Sequence, residues 1–453
     1  MRALALFALL FCITAHADSP LRAVATFESL GLYFKPAGDP GRDGCPVRFR
    51  KAGEAQWREG LPLWFDARDG ECRGSLVHLS PGAEYEVEVQ GARTVAKTWA
   101  EKFPIAETVT LPKALKETLF VTKGGKPNGY VLYQAAPGGT IIDVEDKAQY
   151  NVVITAPYVI VRGLTLKGAQ RDAIDVRASD VVIEGNDISE WGRLKYTNSK
   201  GWKIGVDMDS GVRANCRHVK MERIVVQRNR IRDPRYGANS WSWGHPVGPQ
   251  AITFSHCAGN HVIRHNEISS SDPQRYFNDA IGGEDNFTAV GFPNRDSDIY
   301  GNVIQGAWDD GIEAEGANMN VRIWGNAIER TAVGIATTVT HHGPLYIFRN
   351  SYRNGRKLSE RPPEADDRGP MIKAGDGKGI GGGRRYVFDN SAADVGNFMA
   401  GNTGQPLTNT VTRNNSWKLF KRHWPGIHDA GGRGNDFGDG TKVRIPNFDD
   451  GEK

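Results

Sequence analysis

Past its first residues the sequence has no apolar run of about 18 residues, the length a helix needs to cross a bilayer, so no membrane span is expected. It also lacks a block of one charge. Lys and Arg total 57 and Asp and Glu 53, a formal net charge of +4 scattered along the chain. Mixed signs of this kind are no nucleic-acid footprint, and charge alone identifies no partner. There is no H-E-x-x-H zinc motif, no G-x-S-x-G nucleophile elbow and no amphipathic helical repeat, which sets aside three common enzyme and scaffold types. The glycine-rich string Gly377-Lys378-Gly379-Ile380-Gly381-Gly382-Gly383 has neither a strand before it nor a helix after it, so it reads as a loop and not as a phosphate cradle.

Cysteine is scarce, with 5 residues, and Cys12 falls in a segment that reads as a secretory leader over 1–17. Arg2 supplies the leader's charge, an apolar run extends from Ala3 to Ala15, and Ala15-His16-Ala17 offers a cleavage site, so the mature chain is expected to begin near Asp18 and to be secreted, extracellular or periplasmic. The four cysteines left are an even number, as disulfides in an oxidising compartment require. Cys45 with Cys72 and Cys216 with Cys257 is the favoured pairing, because each bond then staples one domain. A zinc site at His256, Cys257 and His261 lacks the usual ligand spacing.

From Leu21 to about Thr94 short β-type runs alternate with turns, the pattern of a β-sandwich. Within it Leu79-Ser80-Pro81-Gly82-Ala83-Glu84-Tyr85-Glu86-Val87 resembles the L-x-P-G-x-x-Y-x-V signature of fibronectin type III domains, whose Tyr packs at a strand corner. A first domain over 18–108 is expected, and such modules serve as spacers, binders or docking surfaces.

Beyond Leu111 an aliphatic-x-x-Asn unit recurs, ending at Asn186, Asn229, Asn266, Asn302, Asn326 and Asn350. The period is 24 residues between the last three, and the longer intervals imply inserted loops. Each repeat is therefore expected to be one coil of a β-solenoid over 109–453, with the asparagine amides bonding along the stack as a structural device. The repeats resemble right-handed parallel β-helix proteins of the pectate-lyase-like type over roughly Thr122 to Trp417. That superfold hosts polysaccharide lyases, glycoside hydrolases, epimerases and phage tailspikes, and the right hand comes from the resemblance and from the chirality of β crossovers. The resemblance implies an all-β chain with a polysaccharide as partner.

A small residue followed by an aliphatic precedes each Asn: Ala173-Ile174, Ala251-Ile252, Ala280-Ile281, Gly311-Ile312 and Gly334-Ile335. With the aliphatics directed inward, Glu313 and Glu315 face outward, Gly282 stacks against Glu313 and Glu284 against Glu315. Thr253, Gly282 and Ala336 are small, which leaves a groove with acids on its floor. Asp279 and Asp310 form a second acidic column, with Asp309 adjacent. Like charges on neighbouring strands destabilise a sheet, so a face without a task would be expected to avoid them, and crowding suits them to general acid/base work.

Phe277-Asn278-Asp279-Ala280-Ile281 and Trp308-Asp309-Asp310-Gly311-Ile312 resemble the N-x-D-G-I and D-D-x-I motifs of polygalacturonase-type glycoside hydrolases. The resemblance implies that Asp309 or Asp310 protonates the leaving oxygen while Asp279 helps to activate water. Asn278 abuts Asp279 without the family's intervening residue, His341-His342-Gly343 only loosely resembles its G-H-G, and Met371-Ile372-Lys373 resembles R-I-K without the arginine. The alternative on the same fold is a Ca²⁺-dependent lyase or epimerase acting on a uronic-acid glycan, with Glu284, Asp285, Glu313 and Glu315 as ligands and His341, His342 or Arg349 as base. A non-catalytic glycan-binding surface protein is the third reading.

Tyr300, Trp324 and Phe348 form an outward aromatic column, for which packing beneath a loop or the first domain is favoured over sugar stacking. Trp241 and Trp243, in the loop 235–249, are the better sugar platforms, and Lys373, His341, His342 and Arg349 complete the expected substrate-binding set. Hydrolysis without a cofactor, by a monomer, is the leading expectation.

Overall fold

The computed structural model describes residues 20–356, 368–401, 405–420 and 426–449. The expected leader, with Cys12, lies outside them. The front of the chain forms two antiparallel four-stranded sheets. One orders Leu21–Ala25, Leu30–Phe34, Glu71–Leu76 and Trp64–Asp66; the other orders Arg58–Glu59, Val47–Lys51, Glu84–Val89 and Ala92–Lys97. Alternation along Glu84–Val89 buries Tyr85, Val87 and Val89 against Leu30, Leu32 and Leu76, and the Cys45–Cys72 disulfide lies in that core. The Tyr85 hydroxyl accepts the Ser80 N–H at 2.8 Å, a corner contact of the kind found in immunoglobulin-type sandwiches.

Three parallel sheets of 12, 11 and 11 strands follow: eleven coils contribute one strand to each, and a last strand adds to the first sheet. Sheet 1 runs from Ile105–Thr110 to Asp436–Gly438, sheet 2 from Ala114–Leu115 to Ser416–Leu419, and sheet 3 from Leu119–Val121 to Ile427–His428. This is the β-helix, right-handed as strand–crossover–strand units are. Its pairing starts at Ile105, a few residues ahead of the boundary expected at 108/109. The core is a set of aliphatic stacks, such as Ile252, Ile281, Ile312, Ile335 and Ile372 in sheet 3.

The asparagines sit at the corner between sheets 1 and 2. From Asn229 onward each Oδ1 accepts both the backbone N–H and the Nδ2–H of the asparagine one coil earlier, at 2.9–3.0 Å, and each Nδ2 also donates to a buried carbonyl. Asn390 and Asn415 extend the ladder beyond the six positions recognised in the sequence, and Asp439 ends it by accepting from Asn415.

The aromatic column of sheet 1 is packing, not a sugar platform. Tyr300, Trp324 and Phe348 stack with centroids 4.0 and 5.5 Å apart and are buried with Phe27 and Val77 of the front sandwich. Ion pairs reinforce the seam: buried Arg264 reaches exposed Glu101 at 2.7 Å, and Arg322 forms a buried pair with Asp298, which also accepts from Thr26. The Cys216–Cys257 disulfide ties neighbouring coils just past their sheet 3 strands.

Replacing Asn326 with Ala would leave the Asn302 donors, the Ile299 carbonyl and Asn350 Oδ1 without that partner. A loss of about 3 kcal/mol in denaturant unfolding is expected. A loss below ~0.5 kcal/mol would show that the ladder does not hold the coils.

Candidate active site

At the corner between sheets 2 and 3 two successive residues point inward, the small one and then the aliphatic one. A Cβ on Gly311 would lie 2.7 Å from Ile328 Cγ2, which is why that position is small. The residues flanking the inward pair then point out, so Asp310 and Glu313 of strand Asp310–Glu313 share one face. Register stacks the neighbouring coils on them: Thr253 pairs with Gly282, Ile281 with Ile312, Glu313 with Ala336, and Ala336 with Lys373. Gly282 lies directly beside Glu313: a Cβ there would come within 2.9 Å of Glu313 Oε2.

The result is a cluster of acids. One carboxylate oxygen from each of Asp279, Asp310 and Glu313 lies within 4.8 Å of the others. Asp279 Oδ1 accepts the Asp310 N–H at 3.0 Å, while its Oδ2 accepts from Gln250 Nε2 at 2.9 Å and Asn278 Nδ2 at 3.1 Å. Lys373 reaches back across Ala336 and places Nζ 3.1 Å from both Asp310 Oδ2 and Glu315 Oε1. Asn286 donates to Glu313 at 2.7 Å and to Glu315 at 3.4 Å. Asp309 sits beside the cluster, 3.4 Å from His245 Nε2.

Burial raises every one of these acids whose shift is resolved. Asp279 stands well above the usual range because it is buried and faces Glu313, Asp309 and Asp310. Burial, Glu315 and Asp310 do the same to Glu313. Glu315 is pushed up to about 7 by burial and Asp310, against the pull of Lys373. Asp310 is raised by burial, with Lys373 opposing. Burial alone would lower Lys373, but Asp310 and Glu315 outweigh it and hold the amine firmly protonated.

Several expected site residues stand elsewhere. Glu284 does not join Glu315: Arg213 and Arg217 each donate to it at 2.9 Å and outweigh burial, holding its carboxyl below the usual range. Asp285 is buried and accepts the His256 N–H at 3.1 Å. The calcium quartet of Glu284, Asp285, Glu313 and Glu315 is thus divided, and the acids that converge as a possible cation cradle are Asp279, Asp310 and Glu313. His341 and His342 lie at the seam, where the His342 carbonyl accepts from Arg68 and Arg73 and its ring faces Asp69 at 3.6 Å. Arg349 stands at the corner before Asn350, on the sheet 1 side, with its N–H on the Phe388 carbonyl. Neither histidine nor Arg349 is available in the groove as a base.

The loop with Trp241 and Trp243 does approach the cluster. Buried Asn239 donates to the Ser240 and His245 carbonyls and accepts the Val247 N–H, which sets the loop's path. The Trp241 ring lies 5.0 Å from His245, and Trp243 is exposed beneath Lys200. His245, Gln250 and Asn286 escaped the sequence reading. Gln250 occupies the column of Asp279 and was legible there; His245 and Asn286 lie on irregular loops that no periodicity places.

No family model matches the chain, and no curated protein is similar to it in sequence. Among solved structures it is similar to a family 28 exopolygalacturonase of Yersinia enterocolitica, at 10% identity and a TM-score of 0.35, covering 94% of this chain and 100% of that one. It is also similar to the Agl-KA catalytic domain, at 11% identity and a TM-score of 0.32, covering 92% of this chain and 91% of that one. The fold assignment rests on the three parallel sheets themselves.

Folded Glu315 keeps a proton between about 4.5 and about 7 that the unfolded chain has released, so its burial weakens the fold increasingly as pH rises through that window. Glu315→Gln is expected to gain stability relative to the parent by on the order of 3 kcal/mol between acid and mildly alkaline pH. Parallel unfolding curves of the two proteins would contradict the placement of Glu315.

Proposed function

We propose that the chain is a polysaccharide-cleaving enzyme that works by hydrolysis, and that the cluster on sheet 3 is its active site. The observation that supports this most is the crowding of Asp279, Asp310, Glu313 and Glu315 on sheet 3, with one lysine paired to two of them. Buried carboxyls that retain a proton near neutrality, beside one that a cation helps to ionise, are the pairing that general acid/base cleavage needs.

Asp310, with Lys373 on Oδ2, is the base that takes a proton from water, and the resulting hydroxide adds to the anomeric carbon. Asp279 shares this work and positions Asp310 through its N–H. Asp309 gives its proton to the departing glycosidic oxygen. His245 stands beside Asp309, with Nε2 3.4 Å from its Oδ2 and Nδ1 3.0 Å from the Pro246 carbonyl.

Hydrolysis is favoured over elimination because the groups expected to act as base at C5 stand away from the cluster or are held protonated. Lys373 is held protonated, and His341, His342 and Arg349 lie away from it. The two disulfides support an exported protein, since such bonds persist in oxidising compartments. The front sandwich, with its Tyr85 corner, is read as fibronectin-type-III-like and as a spacer or docking module.

Incubation with a polysaccharide substrate is expected to create new reducing ends without an ultraviolet-absorbing unsaturated product. Asp310→Asn should lower turnover by roughly 10²–10⁴-fold while leaving the folded structure intact. Full activity in that variant, or unsaturated products, would contradict the assignment.

A further inference from the structure

We propose, resting on the hydrolase reading above, that the sugar bound at the cleaved bond is neutral: the substrate is a hydroxyl-rich glycan without a uronate carboxylate at that position.

The argument begins with donors. The amide and ammonium donors of the cluster are already committed, and the hydroxyls of Ser255 and Thr338, which have no partner there, can accept as well as donate. Gln250 and Asn278 amides go to Asp279, the Asn286 amide goes to Glu313 and Glu315, and Lys373 goes to Asp310 and Glu315. Further along the same face four arginines are paired with carboxylates. Arg213 and Arg217 hold Glu284, Arg177 holds Asp175 at 2.6 Å, and Arg193 holds Asp209 at 2.6 Å.

Acceptors are left over. Asp310 Oδ1 and Asn278 Oδ1 are buried and receive no hydrogen bond from the protein. A buried acceptor without a donor carries a desolvation cost that an incoming O–H removes. A sugar hydroxyl can donate to both atoms. An ionised uronate is acceptor-only, so it would leave them unsatisfied and would meet Asp279, Asp309, Asp310, Glu313 and Glu315, a cluster in which Lys373 is already paired.

The test compares neutral polymers (glucans, galactans, mannans, xylans) with polyuronates (polygalacturonate, alginate), and chitosan as a cationic control, scoring reducing ends, unsaturated products and retardation in native gels cast with each polymer. Cleavage of a neutral glycan with kcat/KM at least ~100-fold above that of every polyuronate is expected. Comparable or better cleavage of a polyuronate into saturated products would overturn the neutral-sugar proposal and leave hydrolysis standing. Cleavage confined to chitosan would also overturn it. Retardation by a neutral glycan without cleavage of any polymer would support the neutral-sugar proposal while removing the hydrolase reading. Unsaturated products from a polyuronate, or neither cleavage nor retardation with any neutral polymer, would overturn both.

Discussion

Coil register is the constraint on which the rest of this molecule depends. A parallel sheet tolerates sliding unless something fixes it, and slipping one coil by a single residue would exchange its inward and outward side chains. Here two devices prevent that. The asparagine ladder locks each coil to the next through bonds of 2.9–3.0 Å at one corner, and the small-aliphatic pairs lock the opposite corner, where nothing larger than Gly311 fits against Ile328. With both corners held, Glu313 stands between Gly282 and Ala336, and Asp310 next to Asp279.

The acid cluster is a stored electrostatic cost that such a scaffold can bear. Five carboxyls with one lysine would separate or collect counterions on a mobile surface, whereas rigid strands about 4.8 Å apart keep them together. The environment divides their roles. Lys373 favours ionised Asp310 and Glu315, while Asp279 and Glu313 face mainly other acids and stay well above the usual carboxylate range. The covered aromatic column of sheet 1, in contrast, is spent on the front sandwich, so the two faces have separate tasks.

Much of this was legible in the sequence wherever a residue's place follows from period alone. The alignment of Ile281 with Ile312 and the outward stacking of Gly282 on Glu313 come directly from the small-aliphatic pairs. The favoured disulfide pairs are present too. What escaped depends on contacts that periodicity does not encode. Glu284 was expected to stack on Glu315, but Arg213, two coils earlier, and Arg217, past the Cys216 bond, capture it. His341 and His342 are close to the groove in numbering, yet docking of the front sandwich draws them to Asp69, Arg68 and Arg73. Lys373 stands two coils from Asp310 in sequence order, and only the reach of its long side chain across small Ala336 brings it to the cluster.

The central claim is that register forces buried carboxyls to retain protons at a pH where free ones are ionised. Infrared titration of the carboxyl C=O band, comparing the parent with Asp279→Asn and Glu313→Gln, tests it most directly. The account predicts a protonated-carboxyl band that persists above pH ~6 in the parent and shrinks in each variant. A parent protein whose carboxyls all ionise below pH ~5 would contradict it.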